Sequence, residues 1–173
     1  SIDFANCVID VRRIIESKNY DLVIPIDDFA VQVLFGVGHK KNFAIPTKNI
    51  FELTSNKYRS LLIAEELKIP FPDYQIINSK NYSKIDKDEY IGKYFKPLQT
   101  VKLIGNKLVH FKVEKIESVE DYEQKCFNTI NNTDVLLQHQ VSGVGKSIYL
   151  IAKNGIIIHN VQQNRLHEPK GGG

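Results

Sequence analysis

The sequence predicts an α+β chain that is α/β at its N-terminal end, and three observations lead there. The first 50 or so residues run helix, short apolar strand, helix. From about residue 72 to 134 the texture changes to short strand candidates followed by a single amphipathic helix. The remainder is a strand meander punctuated by Gly143, Gly145 and Asn154-Gly155.

In chain order, Val8, Val11, Ile14 and Ile15 recur at helical spacing over 6–18. Asp21-Leu22-Val23-Ile24-Pro25 has the form of a short buried strand ended by proline, the kind found in parallel sheets. Asp27 and Asp28 suit an N-cap and a first-turn acid for an apolar helix through Phe29–Phe35. Thr54-Ser55-Asn56 marks a helix start, with Leu61, Ala64 and Leu67 in register over Lys57–Lys68 and Ile69-Pro70-Phe71-Pro72 as the stop. Strands are expected at Tyr74–Ile77, Ile91–Lys96, Val101–Ile104 and Leu108–Val113, the last two joined by a Gly105-Asn106 hairpin. Ser118-x-x-Asp121 resembles a capping box, and Val119, Tyr122, Cys126 and Ile130 share one face of the helix after it. Val135–Val141, Ser147–Ala152 and Ile156–Val161 complete the strands, the last pair turning at Asn154-Gly155.

Composition narrows the function classes. With 42% hydrophobic and 25% charged residues, the 173-residue chain can build a packed core. No apolar run nears the roughly 18 residues needed to span a bilayer, so no membrane role is expected. A net charge of +3, with 19 of 23 basic residues being dispersed lysines, supplies no concentrated face for nucleic acid. Two cysteines, Cys7 and Cys126, exclude a disulfide scaffold and fit a reducing cytoplasm.

Four features could carry chemistry. Lys96 ends an apolar strand in Tyr94-Phe95-Lys96-Pro97, so it either snorkels to solvent or points a charge into a cleft. Lys57 lies in a first helical turn, where a cation opposes the helix dipole and an anionic partner would explain it better. Gln138-His139-Gln140-Val141-Ser142-Gly143 leads a strand into a glycine turn, which suits either a plain hairpin or recognition of a flat heterocycle edge. Arg165, before Leu166-His167-Glu168-Pro169-Lys170 and the glycines 171–173, suits bidentate contact with phosphate or carboxylate, or is a surface arginine. His139 has no second ligand at metal spacing, and the other histidines (His39, His110, His159, His167) are equally isolated. Gly143-x-Gly145-Lys146-Ser147 lacks the glycine spacing of a phosphate-binding P-loop and precedes a strand instead of a helix.

Taken in order, Lys57, Pro70-x-Pro72, Lys96-Pro97, Gln138 to Gly143, Asn154-Gly155 and Arg165 resemble the ATP-grasp superfamily. The likeness is to the branch similar to carbamoyl-phosphate synthase large subunits and related carboxylate–amine ligases. It implies an ATP-grasp lid and hinge carried behind the tail of a parallel-sheet domain. Residues 1–53 would be the end of that preceding domain, 54–134 the lid with its leading helix, and 135–173 the start of the larger subdomain. ATP would lie between the subdomains, with Lys57 and Lys96 on its phosphates and Gln138, His139, Gln140 and Val141 along adenine. Arg165 would serve catalysis at a phosphate or an acyl-phosphate intermediate. The partners implied are ATP, Mg²⁺, a small carboxylate and an amine-type acceptor. The pattern departs from the family in three places. Leu98–Lys102 has no glycine where a glycine-rich lid loop is common, leaving Thr100 and Lys102 as candidate substitutes. His139 stands where the family often has an acid. The Mg²⁺ ligands are expected after the glycine run, so the chain is expected to be an internal piece of a longer enzyme. A non-catalytic nucleotide-binding module and a structural α+β interaction domain are the alternatives.

Overall fold

The computed structural model describes residues 2–38 and 40–167, with residues 87 and 88 for their backbone alone. A two-residue strand, β1 (Ile2–Asp3), runs into helix α1 (Phe4–Ser17), capped where Asp3 Oδ1 accepts from Asn6 N at 2.9 Å. Val8, Val11 and Ile15 turn inward, whereas Ile14 stays exposed. Helix α2 (Asp28–Val37) begins at Asp27, whose carboxylate accepts from Ala30 N at 2.8 Å, and buries Val31, Val33, Leu34 and Val37. The two helices meet closely at Gly36, where a Cβ would sit 2.5 Å from Val8 Cγ2.

The strand expected at 21–25 shrinks to one parallel bridge, Val23 opposite Phe43. Pro25 has no N–H with which to extend the ladder, and Leu22 and Ile24 remain exposed. Helix α3 (Lys48–Ser55), which the sequence pattern did not predict, starts at Thr47. Thr54 and Ser55 therefore finish α3, and Asn56 alone caps α4 (Lys57–Glu66), its Oδ1 accepting from Tyr58 N at 3.0 Å and Arg59 N at 3.2 Å.

Strand β2 (Tyr74–Ile77) is followed by a 3₁₀ turn (Tyr82–Lys84), a one-turn helix α5 (Lys87–Tyr90) and β3 (Tyr94–Pro97). Then come β4 (Val101–Ile104), β5 (Lys107–His110), β6 (Glu114–Lys115), α6 (Val119–Thr129) and β7 (Val135–Gln138). Strands β8 (Lys146–Lys153) and β9 (Ile156–Asn164) end the described chain. All strand pairs are antiparallel, in sheets of order β1-β5-β4, β2-β7-β3-β6 and β8-β9. The first sheet joins residues from both sides of position 53, since Ile2 pairs with Leu108.

The largest core lies under the four-stranded sheet, where Phe95, Val135 and Leu137 meet Tyr122, Cys126 and Ile130 of α6 and its end. Successive strand residues point to opposite faces, so Tyr94, Lys96, Leu136 and Gln138 are assigned to the other face. Burial of Phe95 alone contributes on the order of 2–3 kcal/mol, which fixes this alternation and hence the direction of Lys96. Register does the positioning: Lys96 lies opposite Leu136, and Tyr94 opposite Gln138.

Candidate functional site

A cavity of about 650 Å³ opens between that second sheet face, α4 and the base of the β8–β9 hairpin. Lys57, Lys96, Gln138, His139, Val141 and Arg165 all line it, together with Thr54, Ser60, Leu61, Pro72, Tyr94, Val113 and Leu136. Gln140 is exposed and is not part of the lining. Of the seven site residues expected from sequence, six are thus brought to one space from three separate elements and two loops.

The expected strand Val135–Val141 stops at Gln138. His139 N still donates to Asp73 O at 3.1 Å, one step beyond the β2 ladder, and Gln140 and Val141 then leave the sheet exposed. His139 and Val141 consequently edge the cavity from a loop. Arg165 is held at the hairpin base, its N–H donating to Gly145 O at 2.7 Å and its Nε to Ser147 Oγ at 3.3 Å. Glu168 to Gly173, and His39, lie outside the described residues.

The two lysines differ in their partners. Lys96 Nζ donates to Gln138 Oε1 at 2.6 Å and sits 5.6 Å from the Tyr94 ring centroid. Burial pushes its pKa below the usual lysine value of 10.5. Among the described residues no carboxylate forms an ion pair with it. Lys57 Nζ donates to Pro97 O at 3.0 Å and to Thr100 Oγ1 at 3.1 Å. Burial also lowers the Lys57 pKa, opposed by the nearby Asp28 charge and reinforced by Lys96. Asp28 is raised in turn, by burial first, with Lys57 pulling the other way. The sequence offered Asp28 only as a first-turn acid of α2; nothing in its spacing from Lys57 announced that the two charges would influence each other.

Neither candidate substitute for a lid loop lines the cavity. Thr100 accepts from Lys57, and Lys102 Nζ donates to Asn132 O at 2.7 Å, in the turn after α6. The lining also holds no carboxylate, and among the described residues no three His, Cys, Asp or Glu side chains gather to hold a metal ion. The described residues therefore do not fit a Mg²⁺ site. Chemically, the space offers two half-buried cations, an arginine, an amide and an apolar wall of Leu61, Pro72, Val113 and Leu136. That set suits an anion joined to a flat apolar body.

No family model matches the sequence, and no curated protein matches it. Among solved structures, the chain is similar to D-Alanine-D-Alanine Ligase from Helicobacter pylori, with a TM-score of 0.50 and 21% sequence identity. The match covers 73% of this chain and 39% of that ligase, so the chain spans well under half the ligase's length. At that identity the likeness speaks for the fold alone: the chain is α+β with antiparallel sheets, an architecture it shares with part of that ligase.

Proposed function

We propose that this chain is the ATP-binding portion of an ATP-dependent ligase. Such an enzyme forms an acyl phosphate when a carboxylate oxygen attacks the γ-phosphorus of ATP and ADP departs; an amine or similar nucleophile then attacks the carbonyl carbon and releases phosphate. The observation that carries this is Lys96, a half-buried cation without a described carboxylate partner, facing the same cavity as Arg165 within an ATP-grasp fold. The apolar wall and the His139–Val141 edge would receive adenine, and the Lys96 end the phosphates. There the cations would oppose the charge gathered on the transferred phosphoryl group. Magnesium use goes with this chemistry, but the described residues supply no ligand set for it. The order of the sequence motifs favours the carbamoyl-phosphate-synthase-like branch, working in the cytoplasm; among the described residues no helix is long and apolar enough to cross a membrane.

A thermal shift and a calorimetric titration with ATP, with and without Mg²⁺, test the binding. A rise in Tm that Lys96→Ala abolishes supports it, and no shift at millimolar ATP would leave a structural α+β domain. Turnover of the parent protein with candidate carboxylates tests the chemistry. A second reading, a nucleotide-binding module without catalysis, draws on the glycine-free Leu98–Thr100 turn and the carboxylate-free lining. ATP binding by the parent without hydrolysis would select it.

A further inference from the structure

We propose that the two lysines have separate jobs: Lys57 is a positioning residue that pins the Leu98–Thr100 turn, and Lys96 is the cation that meets the anion. This rests on the ATP-binding reading above and divides the labour within that site.

The turn follows Lys96-Pro97 directly and is stitched from several directions. The ammonium of Lys57 donates to the carbonyl of Pro97 and to the hydroxyl of Thr100. The backbone N–H of the same residue donates to Leu98 O at 2.9 Å. One lysine thus reaches three positions of a four-residue stretch. From other elements, Leu98 N donates to Asp134 O at 3.0 Å, and Phe111 N donates to Thr100 O at 2.8 Å. None of Leu98, Gln99 and Thr100 takes a positive φ, so the turn needs no glycine. A segment tied this way is a fixed support behind Lys96-Pro97, unlike a lid that swings over phosphates.

Charge separates the lysines as well. Two of the three N–H donors of Lys57 are committed to Pro97 and Thr100, and the Asp28 charge lies near enough to favour its ammonium form. Lys96 has one neutral amide acceptor and an aromatic ring, neither of which neutralises it. An incoming polyanion therefore gains more from Lys96, which keeps two ammonium N–H donors uncommitted where Lys57 keeps one.

The test is a set of substitutions in the full chain, read by ATP binding, by amide exchange and by ¹⁵N spectra of the lysine ammonium groups. Lys57→Met and Thr100→Val should each weaken ATP by about 3-fold, raise exchange at the Leu98 amide, and fail to add when combined, because both act through one turn. Lys96→Met should weaken ATP by about 10-fold or more, leave Leu98 exchange unchanged, and add to either of the others. On adding ATP, the Lys96 ammonium signal should move and the Lys57 signal should hold its position. The proposal is overturned if Lys57→Met costs as much affinity as Lys96→Met while Leu98 exchange and the Thr100→Val variant stay as in the parent chain. A wild-type chain that does not bind ATP, yet shows the 57–100 coupling in Tm and exchange, would uphold the pin and discard the nucleotide. Loss of that coupling with ATP binding intact would do the reverse.

Discussion

Lys96 is where burial, charge and the proposed ligand meet. Replacing it with Met removes a desolvated cation, so Tm should hold or rise while ATP affinity falls, a split that scanning calorimetry and titration resolve together. Its pH dependence follows from direction alone. Burial holds the folded pKa values of Lys57 and Lys96 below 10.5, so between those values and 10.5 the unfolded chain binds more protons. Stability therefore gains with rising pH through that window, and below it, with both groups charged in both states, the burial cost is carried in full. ATP affinity should move oppositely, falling as Lys96 loses its proton, and urea midpoints with binding isotherms across alkaline pH check both slopes. In Lys96→Met the affinity slope should flatten. The cavity-facing lysine was legible because Phe95-Lys96-Pro97 puts a charge at the end of an apolar strand. The electrostatic influence of Asp28 on Lys57 was not, since the two lie at the starts of different helices and only folding brings their charges near.

Helix ends show both the reach and the limit of local signals. Asp27 and Ser118 cap the helices their sequences announced, each accepting from the amide three residues on. Thr54-Ser55-Asn56 misled because Thr and Ser suit the end of one helix as well as the start of another; Thr54 Oγ1 in fact donates back to Ile50 O within α3. Asn56 carries the junction alone, satisfying two amides of α4. Asn56→Ala should cost about 1 kcal/mol, a Tm loss of roughly 2–4 °C for a chain of this size, with ATP affinity reduced because Lys57 is the next residue. The packing of α1 on α2 is less forgiving. A methyl at Gly36 would press on Val8 Cγ2 and the Phe4 ring, so Gly36→Ala should destabilise by about 1–3 kcal/mol, read as a lower urea midpoint. No periodicity marks that position, because a close approach between helices is a property of the pair. The strand at 21–25 failed for a related reason: its apolar run was real, but an isolated bridge gives the flanking Leu22 and Ile24 nothing to bury against.

The three cores and the hairpin divide the molecule unequally. Apolar side chains of α6 and the four-stranded sheet form one core, and those of α1, α2 and the three-stranded sheet form the other two, while among the described residues β8 and β9 pair only with each other and leave Ile148, Tyr149, Leu150, Ile151, Ile156, Ile157, Ile158 and Val161 exposed. The sequence placed them as a meander turning at Asn154-Gly155, and the strands formed around that turn. What that reading could not supply is the cover. Register puts Ile148 and Leu150 on one face and Tyr149 and Ile151 on the other, so each face carries its own apolar patch, and among the described residues neither outer edge is paired. Lys146 and Lys153 stand at the two ends of β8 as the nearest charges, too far apart to interrupt the run between them. The described chain should therefore self-associate as its concentration rises, seen as a growing mass in light scattering behind size-exclusion chromatography. Ile148→Lys with Ile151→Lys places one charge on each face and should return the chain to a monomer. Because neither residue belongs to the three cores or lines the cavity, Tm and ATP binding should be unchanged in that variant. A wild-type chain that stays monomeric at all concentrations would mean the exposed hairpin is covered by other parts of its own molecule.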